Sequence, residues 1–551
     1  MIDSKALFSP SSLQRLWDTV RFLQPGQIYH QVRRRVITPR LLKTLDIVPT
    51  ARPLPLVSWI ARPQKCLDGR RFIFLNQEAD LGKKIDWKAP GLPRLWQYNL
   101  HYFDFLDQQG MEFAEGLSLI RDWIANYPVQ PNSPGWDPYP ISLRLVNWIK
   151  FFAKWGGIEA YALESLLLQA INLKRQLEYN IGGNHLWANG KALWFAGIFL
   201  QEPSLALLGK KIIFKEIGAQ FLPDGGHFEL SPMYHAIITE DLLDLINLCQ
   251  SVKEAGDDRE SAILNNTASK ALAWLGELID GHGKFPLLND AAYGVAATFK
   301  ELLEYGNRLG VGPVSPVFPE LTLGRWSGKS LSGYRVFSNG SFRLLWDTAP
   351  LGPDHLLGHA HCDILSLLLD FSGENIWTDS GISQYEEGEA REYERGTSAH
   401  NTVSLDGLEQ AEIWKSFRVG RRGYPQDFQH EGQTLRCSHS GFEIWQPGLR
   451  HERALTFVDG GFELTDTVRG PARHQFRAFF HFSPQVRIEA RSPSDFLVNG
   501  HLRMSIWGAE AHVTTSKYCP ELGKVFVRPC LVLTGEFRQQ HAFGLKCRSC
   551  L

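Results

Sequence analysis

The period of the hydrophobic pattern changes once along this chain, and that change limits the folds open to it. From about residue 96 to 310, apolar residues recur at i, i+3 and i+4 in segments such as 116–127, 141–155, 161–179, 187–199, 205–221, 235–255 and 260–279. Segments of this length joined by short Gly, Pro and Asn loops read as antiparallel helical hairpins. From about residue 325 the period is two, in segments including 333–337, 341–346, 434–438, 453–458, 461–468, 476–482, 486–490 and 524–534. A helical half followed by an antiparallel, sandwich-like half is a multidomain α+β architecture. At 551 residues the chain is too long for one compact core. The pattern divides it into an N-terminal extension (1–95) packing on the helical part, a helical domain (96–322) and a β domain (323–551). Within the extension, Ser11-Ser12-Leu13-Gln14 opens a helix through Arg21, and a basic run, Arg33-Arg34-Arg35, follows. The Pro-rich stretch 49–63 is a connector.

Charge and cysteine usage remove several classes of function. The formal net charge is −1, so no global field recruits nucleic acid or another polyanion, and an acidic ligand must be held by a local patch. No apolar run reaches the length of a membrane span, so membrane insertion is not expected. No signal peptide is visible, and the chain reads as cytoplasmic, or periplasmic if its true start lies upstream. The eight cysteines are scattered without framework spacing and suit free thiols. The 17 Trp are a mild hint of stacking on sugar faces, which a large core would equally absorb. Oligomeric state is left open by the sequence.

One stretch of the β half concentrates chemistry. His359 and His361 are separated by one residue, Asp379 follows, and His400 begins a His-Asn-Thr sequence. In a β-strand residues i and i+2 share a face, so an H-x-H pair sets two imidazoles side by side. The runs 364–371 and 375–378 look like neighbouring strands that would return Asp379 to the same place. Two His and one carboxylate are a common transition-metal or zinc ligand set. Each histidine alone is more often a satisfied core group; the joint spacing favours a site.

The helical half holds three further clusters. Gly182-Gly183-Asn184-His185 opens a helical run, with Asn184 either an N-cap or a cleft residue. A polar and aromatic loop, 224–235, leads into another helix and carries Tyr234. In 136–148, Arg144 and Asn147 share a helix face and would bind a carboxylate or cap a neighbouring helix. Asn, His and Tyr without a nucleophile suit β-elimination on a uronic acid. A hydrogen-bond donor or cation stabilises charge building on the carboxyl group. A base takes the C5 proton, and an acid protonates the departing O4. Tyrosine serves as base or acid if nearby positive charge lowers its pKa.

The motifs PRLWQYNLHYFDFL (93–106), GWDPYPISLRLVNWI (135–149), NHLWANGKAL (184–193), DGGHFELSPMYHAIITEDLLDL (224–245), HAHCDILS (359–366), DSG (379–381) and REYERGTSAHNTVSLDG (391–407) together resemble the heparinase II/III-like polysaccharide lyases. The resemblance runs from about residue 90 onward. It implies an incomplete (α/α) toroid followed by an antiparallel β-sandwich, with a cleft between them. It implies that Asn184 and His185 neutralise a uronate carboxylate and that Tyr234 is the catalytic acid, base or both. It implies that His359 is a catalytic histidine, and that His361, Asp379 and His400 ligate a divalent metal, commonly zinc. A second tyrosine assists in some members, with Tyr385 the candidate and Tyr393 the rival. Trp136, Arg144, Trp187, Asn189, Glu229 and His235 are read as contacts to an acidic polysaccharide. Cys362 departs from the usual pattern and, alternating away from His361, is not counted as a ligand. The expected activity is a lyase that leaves an unsaturated uronate end. The alternative is a glycan-binding or exopolysaccharide-assembly protein on the same scaffold. A two-carboxylate hydrolase is disfavoured, because Glu229 and Glu240 do not form a convincing acid pair.

Overall fold

A computed structural model describes residues 10–550 apart from 38, 46, 48, 315–319, 322–323 and 327–331. Two short helices come first, α1 (Pro10–Val20) and α2 (Pro25–Val36), and then a small antiparallel hairpin, Arg71–Phe74 with Gln77–Asp80. The helical half follows as α3 (Arg94–Tyr102), α4 (Phe113–Asn126), α5 (Pro138–Trp155), α6 (Ala160–Arg175), α7 (Gly183–Phe199), α8 (Pro203–Gln220), α9 (Pro232–Ser251), α10 (Asp258–Leu278) and α11 (Phe299–Arg308). The sequence places these boundaries because its stop and start signals are strong. Proline occupies the first turn of α5, α8 and α9, where its missing N–H costs nothing. Asp257 and Glu260 form a capping box on α10, and Thr298 and Glu301 form one on α11. Gly156 ends α5 in the left-handed conformation.

Helix α7 is the hub of this half. Every residue from Gly183 to Phe199 is buried except His185. A helix apolar on all sides belongs in the centre of a core. Its one buried cation, Lys191, is held by Asp241 and Asp244 of α9, and Lys150 of α5 shares Asp244.

Among the described residues the β half has two large packed sheets and a small hairpin, Ala411–Trp414 with Arg418–Arg422. A six-stranded antiparallel sheet runs in chain order from Glu320–Leu321 to Glu374–Trp377. A ten-stranded sheet is built around two long strands, Gly461–His481 and Phe526–Ser549, which pair over most of their length. Phe337 and Phe342 of the first sheet meet Phe457 and Phe462 of the second. One core fills the helical half and another the sandwich; Tyr334, Leu345, Ile382 and Leu522 of the β half join the helical core, forming the seam between the halves.

Two expectations differ from the structure here, and a third lies outside the described residues. The boundary drawn at 95/96 cuts α3, which begins at Arg94. The boundary at 322/323 lies outside the described residues. The extension does not pack on the helical half alone, because α1 lies against the strand Arg418–Arg422 of the β half.

A short helix α12 (Glu389–Arg395) crosses between the strand ending at Trp377 and the segment that carries His400.

Candidate active site

His359 and His361 are not on a strand. They lie in the loop joining the strands Phe342–Asp347 and Leu367–Phe371, and the second strand begins at Leu367 rather than at 364. The two imidazoles converge because both bind one carboxylate. His359 Nδ1 is 2.8 Å from Asp290 Oδ2, and His361 Nε2 is 2.9 Å from Asp290 Oδ1. Arg391 of α12 grips both oxygens of the same carboxylate. Burial alone would raise the Asp290 carboxyl; Arg391 and the two imidazoles outweigh it and hold it well below the usual range. Asp290 comes from the tail of the helical half, so this cluster joins the two halves of the chain.

The tyrosine is set by a helix start. Ser231 caps α9, accepting from Tyr234 N, and its hydroxyl donates to the Asp290 carbonyl at 2.6 Å. The preceding Leu230 has φ 57°. Its carbonyl accepts from Asn289 Nδ2 and from the Tyr334 hydroxyl, which stabilises that strained position. The Tyr234 ring stacks on His359 with 4.0 Å between centroids, and its hydroxyl is 3.2 Å from that of Tyr385. Tyr393 is turned away, against Lys517. Burial pushes the Tyr234 phenol well above its ordinary value, and Tyr385 and Asp290 push it further. Tyr385 is raised in the same way, by burial and then by Asp290. Arg391 works against this at Tyr385, but burial outweighs it, so neither tyrosine shows the expected net lowering.

The third arm comes from the start of α7. Asn184 is not an N-cap: that position is Gly182, and Asn184 lies inside the helix. Its backbone N–H and Nδ2 donate to Glu229 at 3.1 and 3.2 Å, and Nδ2 lies 3.5 Å from His359 Nε2. Gly183 has no room for a side chain, since a Cβ would sit 2.2 Å from Glu229 Oε1. His185 is half-exposed and bonds Glu178 through Nδ1 at 3.1 Å, with Tyr139 stacked beside it. Burial lowers its pKa, but Glu178 more than offsets this and the net shift is upward, favouring the imidazolium.

Several expected glycan contacts are structural. Arg144 is fully buried on Gln169 and the carbonyls of His101 and Gly135, with its guanidinium over Trp123. Burial pushes it down to about 9. Trp136 and Trp187 are buried in the helical core. Asn189 is buried and holds Glu178 through both ends of its amide. His235 is buried against Trp274 and the Ala271 carbonyl. Glu229 is in the site but buried, tying Asn184 to His359 from behind. The sequence reading missed Glu178, Asp290 and Arg391. Asp290 had one signal, a polar Asn-Asp pair inside the apolar run 285–292.

Behind His359 lie the expected metal ligands. His400 Nδ1 is 2.8 Å from Asp379 Oδ2, and the His361 and His400 rings are 5.3 Å apart. With those contacts as donors, His361 Nδ1 and His400 Nε2 keep their lone pairs, and both atoms are buried without a hydrogen-bond partner. Two imidazoles on one tetrahedral zinc place their ring centres roughly 5 Å apart. The donor types and spacing of this pair therefore fit a metal. Asp379 stands behind His400 rather than beside it, as an orienting carboxylate does. Among the described residues, no three His, Cys, Asp or Glu side chains are arranged to hold an ion. Cys362 is buried with its sulfur toward the Ala411 carbonyl.

Comparison with known proteins adds the following. Residues 68–307 match the family model "Heparinase II/III N-terminus", and residues 327–527 match "Heparinase II/III-like, C-terminal". A heparin-sulfate lyase of Bacteroides stercoris is 24% identical over 497 residues, covering 78% of this chain and 71% of that protein. A heparin-sulfate lyase of Pedobacter heparinus is 23% identical over 438 residues, covering 70% and 62%. Among solved structures, heparinase III is similar with a TM-score of 0.64 and 18% identity over 84% of this chain and 79% of that one. A heparan sulfate lyase of Pedobacter heparinus, in a mutant form, is similar with a TM-score of 0.59 and 16% identity over 98% and 91%. These solved structures share the helical toroid followed by a β-sandwich.

Proposed function

Because the chain belongs to the heparinase II/III-like family, we propose that it is a polysaccharide lyase cleaving a uronic acid-containing glycan of the heparan type by β-elimination. The observation that carries this reading is the stacked pair Tyr234 and His359, whose surroundings suit opposite proton roles.

His359 directs Nδ1 at the Asp290 carboxylate, so that nitrogen carries the proton and Nε2 keeps a lone pair. Nε2 is the base that takes the C5 proton, and Asp290 stabilises the imidazolium that results. The C5–H electrons become the C4–C5 double bond and the C4–O4 bond breaks. Tyr234, kept protonated by burial, gives its phenolic proton to O4. The Tyr385 hydroxyl, 3.2 Å away, donates a hydrogen bond to the phenolate left on Tyr234, which regains its proton from solvent as His359 gives its own up. The imidazolium of His185 and the amide of Asn184 meet the uronate carboxylate and stabilise charge building on it. The long contact from Asn184 to His359 is the one that substrate would replace.

A divalent metal, commonly zinc in this family, would be held by His361 and His400 with Asp379 orienting His400. Bound there, it would supply a structural clamp behind His359.

The test is ultraviolet absorbance of an unsaturated uronate after incubation with heparan-, hyaluronan- and alginate-type polymers. Absorbance that disappears in Asn184→Ala is the expected result. New reducing ends without that absorbance would sink the lyase reading in favour of a hydrolase.

A further inference from the structure

A surface helix of a globular protein normally turns its apolar stripe inward. Helices α1 and α2 do the reverse. On α1, Leu13, Leu16 and Trp17 are spaced as one face and point to solvent, with Trp17 62% exposed. The polar side of α1 faces the protein. Arg15 pairs with Glu412 at 3.0 Å, Trp414 donates to the Thr19 hydroxyl, and Arg422 donates to the Asp18 carbonyl. On α2, Ile28, Tyr29, Val32 and Val36 form the outer face, with Tyr29 63% and Val36 77% exposed. Its inner side is again polar. Gln27 is buried and donates to the carbonyls of Ile181 and His355, and Arg34 donates to Asn180.

Among the described residues, each helix is thus fastened by its hydrophilic side while nothing covers its hydrophobic side. The surrounding charge is one-sided. Arg33, Arg35, Arg40 and Lys43 are exposed, and Asp18 is the one acid in the sequence from 10 to 45. The whole chain carries a net charge of only −1, so this positive segment is local. Exposed Trp, Tyr and Val among arginines match a helix lying in a lipid headgroup region. At 11 and 12 residues neither helix can span a bilayer, and among the described residues no helix is long and apolar enough to cross one.

We infer that the α1–α2 pair docks this protein on an anionic lipid surface. Gln27 bridges Ile181, just before the glycines that open α7, and His355, in the loop that carries His359. Docking through α2 would therefore hold the start of α7 and the loop that carries His359 close to the membrane plane.

Flotation of the full-length protein with phosphatidylcholine vesicles, with and without phosphatidylglycerol, tests this. The protein should float with the anionic vesicles, less so in high salt. Arg33→Gln with Arg35→Gln should weaken binding roughly fivefold for each charge removed. Trp17→Ser with Val36→Ser should weaken it by about tenfold or more, with turnover of a soluble polymer unchanged. Binding indifferent to the apolar substitutions, or absent at low salt, would overturn the inference. A dimer seen by light scattering and lost in Trp17→Ser with Val36→Ser would also overturn it, placing a second copy on this face.

Discussion

Asp290→Asn removes a negative charge from the point where the two halves of the chain meet. The carboxylate is fully buried and accepts from His359, His361 and both nitrogens of Arg391. Whichever way the amide turns, its NH2 group meets an Arg391 donor, and an imidazolium on His359 loses the carboxylate at Nδ1, keeping Glu229, 3.6 Å from Nε2, as its acidic neighbour. A positioned base contributes about 10²–10⁴-fold, so kcat should fall by an amount in that range. Arg391 is buried, and an uncompensated buried charge costs about 3–5 kcal/mol. The two effects separate in Asp290→Asn with Arg391→Met, which removes the stranded cation. That variant should recover most of the lost stability and none of the turnover. Calorimetric melting reports the first, and product absorbance at saturating substrate reports the second. If Asp290→Asn keeps kcat within about threefold of the parent, or if the double variant regains turnover, the His359 assignment fails.

Tyr234→Phe should reduce kcat to near background while costing about 1 kcal/mol, since only its hydrogen bond to Tyr385 is lost; near-normal turnover would refute its role as the acid. Glu178→Gln tests the cation at His185. Glu178 raises that pKa, so the imidazolium is present below it and lost as pH rises through it. The alkaline limb of kcat/KM should therefore move to lower pH in Glu178→Gln, and an unmoved limb would remove His185 from the carboxylate site. His361→Ala should lower bound metal on elemental analysis and lower the melting temperature; unchanged metal content would count against the His361 and His400 pair.

The order of architecture was legible because it depends on local periodicity. The helical segments and strands from 116 onward fall close to where the apolar spacing places them, and Pro, Gly and capping boxes mark their ends. The H-x-H reading reached the right neighbourhood by the wrong geometry. The imidazoles meet at a shared carboxylate, not on a pleated face. The burial of the aromatic and polar residues of α7 and its neighbours is not legible in the sequence, for one reason. In a helix buried on every side, periodicity carries no direction, so Trp187 and Asn189 looked no different from His185.

The sequence by itself determined the helical half, the β half, and a set of residue types suited to proton transfer. Those features depend on neighbours within a few positions, where side-chain spacing dictates backbone preference. Only the tertiary structure decided that Asp290 serves His359, His361 and Arg391, which lie 69, 71 and 101 residues away. It alone decided that Arg144 is sealed in the core, and that α1 and α2 turn their apolar faces outward. Amphipathic spacing shows that a helix has two faces; which face meets the protein depends on partners such as Glu412, Trp414 and His355, far along the chain.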